Sequence, residues 1–468
     1  MYVSKGNIYL DTPDPDSKIV MNLLSGSMDI VNKEMYQFLK HIQEKGEVQL
    51  TEENRSPLTR CLEQGYVFND KEEEEKRLKE LSEEWDRSFK NRAESITIYT
   101  NFTCNLRCVY CFENEQFKKK TGVMSLEMLK AMMNAIDIIH ETHHPDHSPK
   151  VTIFGGEPLL RSPKQIKLIE ELLKALKKRD FKIGIITNGV ELPYYTKILS
   201  QYGVNVVEVT IDGPKEIHDR RRIFADGRGT FDRVSEGVDA CLAKKIPTVI
   251  RVNVDKQNIE SLPDLADFIL DKGWMDQGVS LHLFAVDKAG NECEASCALP
   301  TPEMLSRIFE IFDSHKKTRI FNVVNRAVRF FENLIHDRKI SFPKISYCGA
   351  IAGTQYSYDL SGKIYSCCCI NCSGLQDSHW GEFYPEFTSN DQVIEMWRKR
   401  KVFNLPPCKD CSEALLCGGG CTRLALLSGE KIEDGVFCPW IKDEFQAVLN
   451  YYYPRLKETF LSENKNAT

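Results

Sequence analysis

The sequence predicts an α/β protein: a partial (β/α)6 TIM-like barrel between an N-terminal winged-helix-like unit and a C-terminal cysteine-rich unit. Three observations predict it. Between residues 95 and 316, short β-branched runs alternate with amphipathic stretches of helical period, the pattern of stacked βα units. Residues 1–92 hold short strand and helix patterns with no clustered cysteines. Most of the 17 cysteines fall into two spaced arrays, one within 104–111 and one within 348–438.

Six strands are expected in the barrel, at 95–101, 150–154, 181–187, 206–211, 248–254 and 279–285. Each precedes an amphipathic stretch such as 126–139 or 165–178, and six units rather than eight make the barrel partial. Chemistry in parallel βα folds sits beyond the strand C-termini. Cys104, Gly155, Asn188 and Asp212 each fall just past a predicted strand, at that one end. The N-terminal unit reads as strands at 7–11, 19–24, 47–50 and 65–69 with helices at 33–45 and 57–64. It shows no dense basic recognition helix, which argues against DNA. The run 71–84 (KEEEEKRLKELSEE) reads as a charged, solvated connector helix. The expected domain boundaries are 1–92, 93–340 and 341–445, followed by a tail at 446–468.

At 468 residues and 42% hydrophobic content, the chain can bury several cores. Its formal charge of −6 argues against nucleic acid as a partner. It lacks an apolar run of about 18 residues, so no membrane span is expected. Clustered cysteines without an export signal point to a reducing cytoplasm. Cys61 and Cys241 lie in helical patterns and read as buried small hydrophobes; Cys293 and Cys297 have no assigned role.

The arrays carry the chemistry. The first is Cys104-x3-Cys108-x2-Cys111. Three thiolates with no fourth nearby suit a 4Fe–4S cluster, normally bound by four, with one iron left open. An open metal position marks a catalytic site, by analogy with zinc enzymes. The second array runs Cys348, Gly362, Cys367, Cys408-x2-Cys411-x5-Cys417-x3-Cys421 and Cys438. A structural zinc site could use Cys408, Cys411, Cys417 and Cys421, but it leaves Cys348, Cys367 and Cys438 unused.

The first array, followed by Phe154-Gly155-Gly156-Glu157-Pro158, resembles the radical S-adenosylmethionine (SAM) enzymes. The second resembles the SPASM extension carried by members that modify peptides and proteins; together the likeness spans roughly 93–440. It implies that Cys104, Cys108 and Cys111 hold a cluster whose reduction cleaves SAM to a 5′-deoxyadenosyl radical. It places Gly155, Gly156 and Glu157 around the SAM methionine amine, Thr210 near its ribose and Arg222 at its carboxylate. A solvated basic turn is an alternative for any of Arg220, Arg221 and Arg222. Tyr110 offers backbone to the adenine, and Asn253 is a weaker candidate. The resemblance further implies three 4Fe–4S clusters, with Cys348, Cys367 and Cys421 on an inner auxiliary site and Cys408, Cys411, Cys417 and Cys438 on an outer one.

No cysteine stands between Cys348 and Cys367, where sulfatase-maturating relatives place one. That departure implies an inner iron able to take a substrate thiolate, as in the thioether-forming maturases of sactipeptides and ranthipeptides. Cys368, Cys369 or Cys372 closing the site is the competing reading. The expected partners are a ribosomally made precursor peptide, held by its leader on the N-terminal unit, and a flavodoxin or ferredoxin as electron donor. Formylglycine formation, carbon–carbon cross-linking and epimerisation are alternative activities, and a non-catalytic iron–sulfur module is the alternative class.

Overall fold

The computed structural model describes residues 1–46, 51–89, 92–111, 122–286, 298–337, 340, 343–369, 378–439 and 441–466. The strand expected at 47–50, and Cys293, Cys297 and Cys372, lie outside these residues.

The N-terminal unit contains β1 (Tyr2–Val3), β2 (Asn7–Asp11), β3 (Ser17–Asn22), β4 (Ser27–Asn32) and β5 (Val67–Phe68), with helices Lys33–Lys45 and Glu52–Glu63. β2, β3 and β4 form an antiparallel sheet, and β1 pairs with β5. β4 was not expected from the sequence. A turn creates it: Asn22 Oδ1 accepts from Leu24 N at 2.8 Å, and Gly26 at φ +77° reverses the chain. Asn32 ends β4 and caps the next helix, accepting from Met35 N at 2.9 Å.

The barrel follows in sequence order: β6 (Ser95–Tyr99), β7 (Lys150–Phe154), β8 (Lys182–Thr187), β9 (Val206–Thr210), β10 (Thr248–Val254) and β11 (Ser280–Ala285), all parallel. A short seventh strand, β12 (Asn322–Val323), adds to β11. Alternation along each strand separates two faces. On β10, Thr248, Ile250, Val252 and Val254 are buried, while Arg251 and Asn253 face the barrel interior. The outer face is covered by helices such as Pro163–Lys178, which buries Leu168, Ile169, Leu172, Leu173 and Leu176 at helical spacing. Ser162 caps it and Pro163 opens it. Each such side chain contributes about 1.5–3 kcal/mol on burial, so Leu172→Ala in this stripe costs about 2–5 kcal/mol.

The cysteine-rich unit continues the same sheet. β13 (Gln355–Tyr358) lies parallel to β6, and β14 (Lys363–Tyr365), β15 (Gly381–Glu382) and β16 (Thr388–Ser389) follow antiparallel. The segment expected as a tail is most of helix Ile441–Asn466, which packs on helices Thr301–Ser314 and Arg326–Asp337. Phe309 stacks on Tyr451 with ring centroids 4.2 Å apart. The same helix receives the N-terminal sheet, where Asp11 N donates to Gln446 Oε1 at 2.9 Å.

The charged connector is not simply solvated. Helix Lys71–Phe89 buries Glu74, which accepts from Ser4 Oγ and from Lys5 N. Farther along it buries Leu81 and pairs Asp86 with Lys401 at 2.6 Å. Its charges conceal one apolar edge.

Glu94 sits just before β6, buried, with Oε2 2.9 Å from His140 Nδ1 and Oε1 unpartnered among the described residues. Burial pushes its pKa up to about 7, against the pull of His140. A carboxyl raised in the folded state adds stability below its unfolded value and loses it as pH rises through about 7. Glu94→Gln is therefore expected to gain stability relative to wild type between about pH 5 and about pH 8, read by thermal melts across that range.

Candidate active site

The C-terminal ends of β6 to β11 open on a cavity of about 500 Å³. Strand alternation sends Thr97, Tyr99, Thr152, Phe154, Arg251 and Asn253 inward to line it. Cys104, Cys108 and Cys111 line it from the loop after β6, and Cys368, Cys369 and Arg423 enter it from the cysteine-rich unit.

The loop carrying the first three cysteines is clamped by backbone contact with the Gly155-Gly156-Glu157 turn. Gly156 N donates to Asn101 O at 3.1 Å and Glu157 N to Thr103 O at 2.9 Å. Gly155 has φ +150°, and a Cβ there would stand 2.6 Å from Asn101 O; one on Gly156 would stand 2.6 Å from Thr103 O. Both glycines are needed because two chain segments touch. Glu157 is buried and its carboxylate accepts from Thr187 Oγ1 (2.6 Å), Leu159 N (2.8 Å) and Asn188 N (2.6 Å). Burial raises its pKa against these three bonds. Asn188 reaches the loop as well, donating to Asn105 Oδ1 at 2.7 Å.

Beneath the third cysteine lies a buried charged network. Tyr110 donates its hydroxyl to the Asp212 carboxylate and accepts from Arg222 Nη1 at 2.7 Å and Asn253 Nδ2 at 3.2 Å. Arg221 stacks over the Tyr110 ring at 4.9 Å and donates to both oxygens of Asp255 at 2.8 and 2.9 Å. His218 is buried and held neutral by desolvation and by Arg222 and Arg221. Tyr110, Arg222 and Asn253 are thus brought together, and Thr210 lines the same cavity. Arg221, Asp255 and His218 were not singled out from the sequence; Asp255, which pairs with Arg221, and Tyr110 lie far along the chain from residues 212–222.

The groups present fit a cluster and a cosubstrate that carries a carboxylate. Burial pushes the Cys104 thiol up to about 12, so a metal centre is what would hold it as thiolate. Arg222 is buried with Nε unpartnered among the described residues, a donor left for an anion.

The second array converges through three glycines. Gly418, Gly419 and Gly420, all at positive φ, lie between Cys417 and Cys421. A Cβ on Gly418 would stand 2.6 Å from Ser346 O, beside the Cys348 segment; one on Gly420 would overlap Phe437 O, next to Cys438. Gly362, at φ +80°, packs against Tyr384 O and turns β13 into β14, which delivers Cys367. The thiols form two electrostatic neighbourhoods: Cys408 with Cys417, Cys411 and Cys438, and Cys421 with Cys348 and Cys369. Cys367 contacts Cys368 and Cys369. Among the described residues, no three Cys, His, Asp or Glu side chains are gathered closely enough for a single ion. A four-iron cube calls for wider spacing.

The fold and the site define an α/β barrel protein with a three-cysteine loop at the strand C-termini. Residues 98–269 match the radical SAM superfamily, and this chain carries a radical SAM domain. That domain implies a 4Fe–4S cluster and SAM as its cofactors. The cysteine-type anaerobic sulfatase-maturating enzyme of Clostridium perfringens is 24% identical over 373 residues, 76% of this chain and 92% of that protein. The structure of anSMEcpe with bound AdoMet and Kp18Cys peptide superposes with TM-score 0.58 and 20% identity, covering 78% of this chain and 98% of that one. Streptococcus suis SuiB bound to precursor peptide SuiA superposes with TM-score 0.54 and 15% identity, covering 93% and 98%. These structures share the fold.

Gly156→Ala is expected to push Phe102 and Thr103 out of place, at a cost of about 1–3 kcal/mol. SAM cleavage should fall about tenfold or more, since small misplacements at reacting groups carry penalties of that order. Thermal denaturation and an assay of uncoupled SAM cleavage check both; unchanged cleavage would mean the loop tolerates the methyl.

Proposed function

We propose that this protein is a radical SAM/SPASM maturase of a ribosomally made peptide, and that its product is a thioether between a cysteine sulfur and a carbon of another residue. One observation carries the reading: Cys104, Cys108 and Cys111 share a cavity with Cys368, Cys369 and Arg423 of the cysteine-rich unit. When bound, the first cluster and SAM supply a 5′-deoxyadenosyl radical that takes a hydrogen atom from an unactivated carbon.

The chain's residues hold and orient. Cys104, Cys108 and Cys111 hold the catalytic cluster; Gly155 and Gly156 admit the methionine end of SAM, with Glu157 bracing that turn. Thr210 lies near the ribose, Arg222 offers its free Nε to the carboxylate, and Tyr110 and Asn253 fix the floor. Cys408, Cys411, Cys417 and Cys438 hold an outer auxiliary cluster, and Cys348, Cys367 and Cys421 an inner one, giving three in all. The inner set is one cysteine short, which supports a place for a substrate thiolate. The N-terminal residues 1–92 take the leader by strand addition at β4, the terminal strand of the β2–β3–β4 sheet among the described residues. The likeness to SuiB, which extends over 93% of this chain, supports that assignment. A flavodoxin or ferredoxin supplies electrons, in the cytoplasm.

A second reading has its own support. Cys369 lies beside Cys421 and Cys367, where it would complete the inner set. The Clostridium perfringens relative is a sulfatase-maturating enzyme, so the oxidation would then give formylglycine.

The two products differ chemically. With a cysteine-bearing precursor, a thioether is expected to remove two hydrogens per link, block alkylation of the linked cysteine and leave no aldehyde. Mass spectrometry with thiol-alkylating and hydrazide probes reads the outcome. Hydrazide labelling would favour formylglycine, and a peptide with every thiol free would defeat both.

A further inference from the structure

A buried guanidinium without a carboxylate partner lies among the cysteines of the second array. Arg400 follows helix Asp391–Arg398 and is 0% exposed. It donates through Nη1 to Ile432 O and through Nη2 to Gly435 O at 2.8 Å. Its Nε has no hydrogen-bond partner among the described residues. The groups that would act on it when ionised are, in order, Cys348, Cys408, Cys421 and Asp434. Cys348 and Cys421 belong to one thiol neighbourhood and Cys408 to the other, so Arg400 stands within electrostatic reach of both.

Neutral thiols would leave this charge almost uncompensated, since arginine keeps its proton at any ordinary pH. A buried unpaired charge is strongly destabilising. Metal-bound thiolates are anions and change the balance. Among the other cations, Arg326 acts on Cys417 and Arg423 on Cys421, one neighbourhood each, whereas Lys344 acts on both Cys348 and Cys417. Arg326 and Lys344 also line one cavity, and Arg423 lines the reaction cavity. Arg400 is fully enclosed, so its field is the least screened by water.

We propose that Arg400 is a positioning residue that acts as the shared internal counter-charge of the two auxiliary iron–sulfur sites and makes both easier to reduce. The inference rests on reading the second array as two clusters. Reduction adds negative charge to a cluster, and a fixed cation beside it favours that state; net charge and burial are the levers that set such potentials. A substrate radical that must lose an electron would then face acceptors poised by this residue.

The test uses the full chain, anaerobically reconstituted, with Cys104, Cys108 and Cys111 all replaced by Ala, so that spectra report the auxiliary sites alone. About eight irons should remain, as two cubes require. In this background, Arg400→Gln and Arg400→Met are expected to shift the auxiliary midpoints to more negative potential in an EPR-monitored redox titration. Arg400→Lys keeps the charge but loses the planar fork, and should restore the parent midpoint even if its melting temperature falls. Should the neutral variants fail to hold iron, retention by Arg400→Lys supports the charge role, and loss in all three variants overturns it. Unchanged midpoints in a neutral variant that holds its iron also overturn it, reducing Arg400 to a tie for the 432–435 turn. A background protein without iron would end the two-cluster reading and this inference together, whereas about eight irons with unmoved midpoints would end only the inference.

Discussion

The pairing of β13 along β6 is the constraint on which the site depends. Four residue pairs, from Gln355↔Ser95 to Tyr358↔Ile98, make the first barrel strand and the first strand of the cysteine-rich unit neighbours in one sheet. β6 runs directly into the loop of Cys104, while the hairpin of β13 and β14 runs into Cys367, Cys368 and Cys369. Tyr99 at the end of β6 then donates to Cys368 O at 3.1 Å. Backbone hydrogen bonding thus brings together two cysteine segments far apart in sequence, without requiring a contact between the cysteines themselves.

Around that junction the protein tolerates a density of buried charge that few cores accept. Asp212, Arg221, Arg222, Glu157 and Asp255 are all buried near the strand ends. Most are paired closely, as with Arg221 and Asp255, and such pairs define geometry more than they add stability. The outer faces of the strands and the helical stripes supply the apolar burial that offsets this cost. The division of labour follows strand alternation: one face packs, the other is left for chemistry.

Much of this was legible in the sequence because spacing between ligands leaves little freedom. Cys104, Cys108, Cys111, Gly155 and Gly156 were readable as a set, and the six barrel strands fall close to their expected positions. What was not legible depended on tertiary burial overriding local character. Residues 446–468 were expected as a tail, whereas helix Ile441–Asn466 takes in most of them and passes through Pro454, held by the burial of Phe445, Leu449, Tyr452 and Leu456. Among the consecutive arginines, Arg220 is exposed, Arg221 is paired with Asp255 and Arg222 faces Tyr110, a distinction no pattern of charge could make. Arg400, in the run Arg398-Lys399-Arg400-Lys401, is not distinguished from its basic neighbours by any local pattern.

The contact between the N-terminal sheet and the last helix has a consequence for biogenesis. Ile8, Leu10, Ile19 and Met21 belong to the core that also holds Phe445, Leu449 and Tyr452. Asp11 is bonded to Gln446, and Ser17 to Tyr453 at 3.2 Å. On the ribosome, the first strands emerge long before the helix that covers their apolar face. The small core of Leu39, Ile42, Leu58 and Tyr66 can close early, but the opposite face of that sheet must wait for helix Ile441–Asn466. That sheet is therefore completed only once helix Ile441–Asn466 has been made, and until then the nascent chain carries its apolar face uncovered.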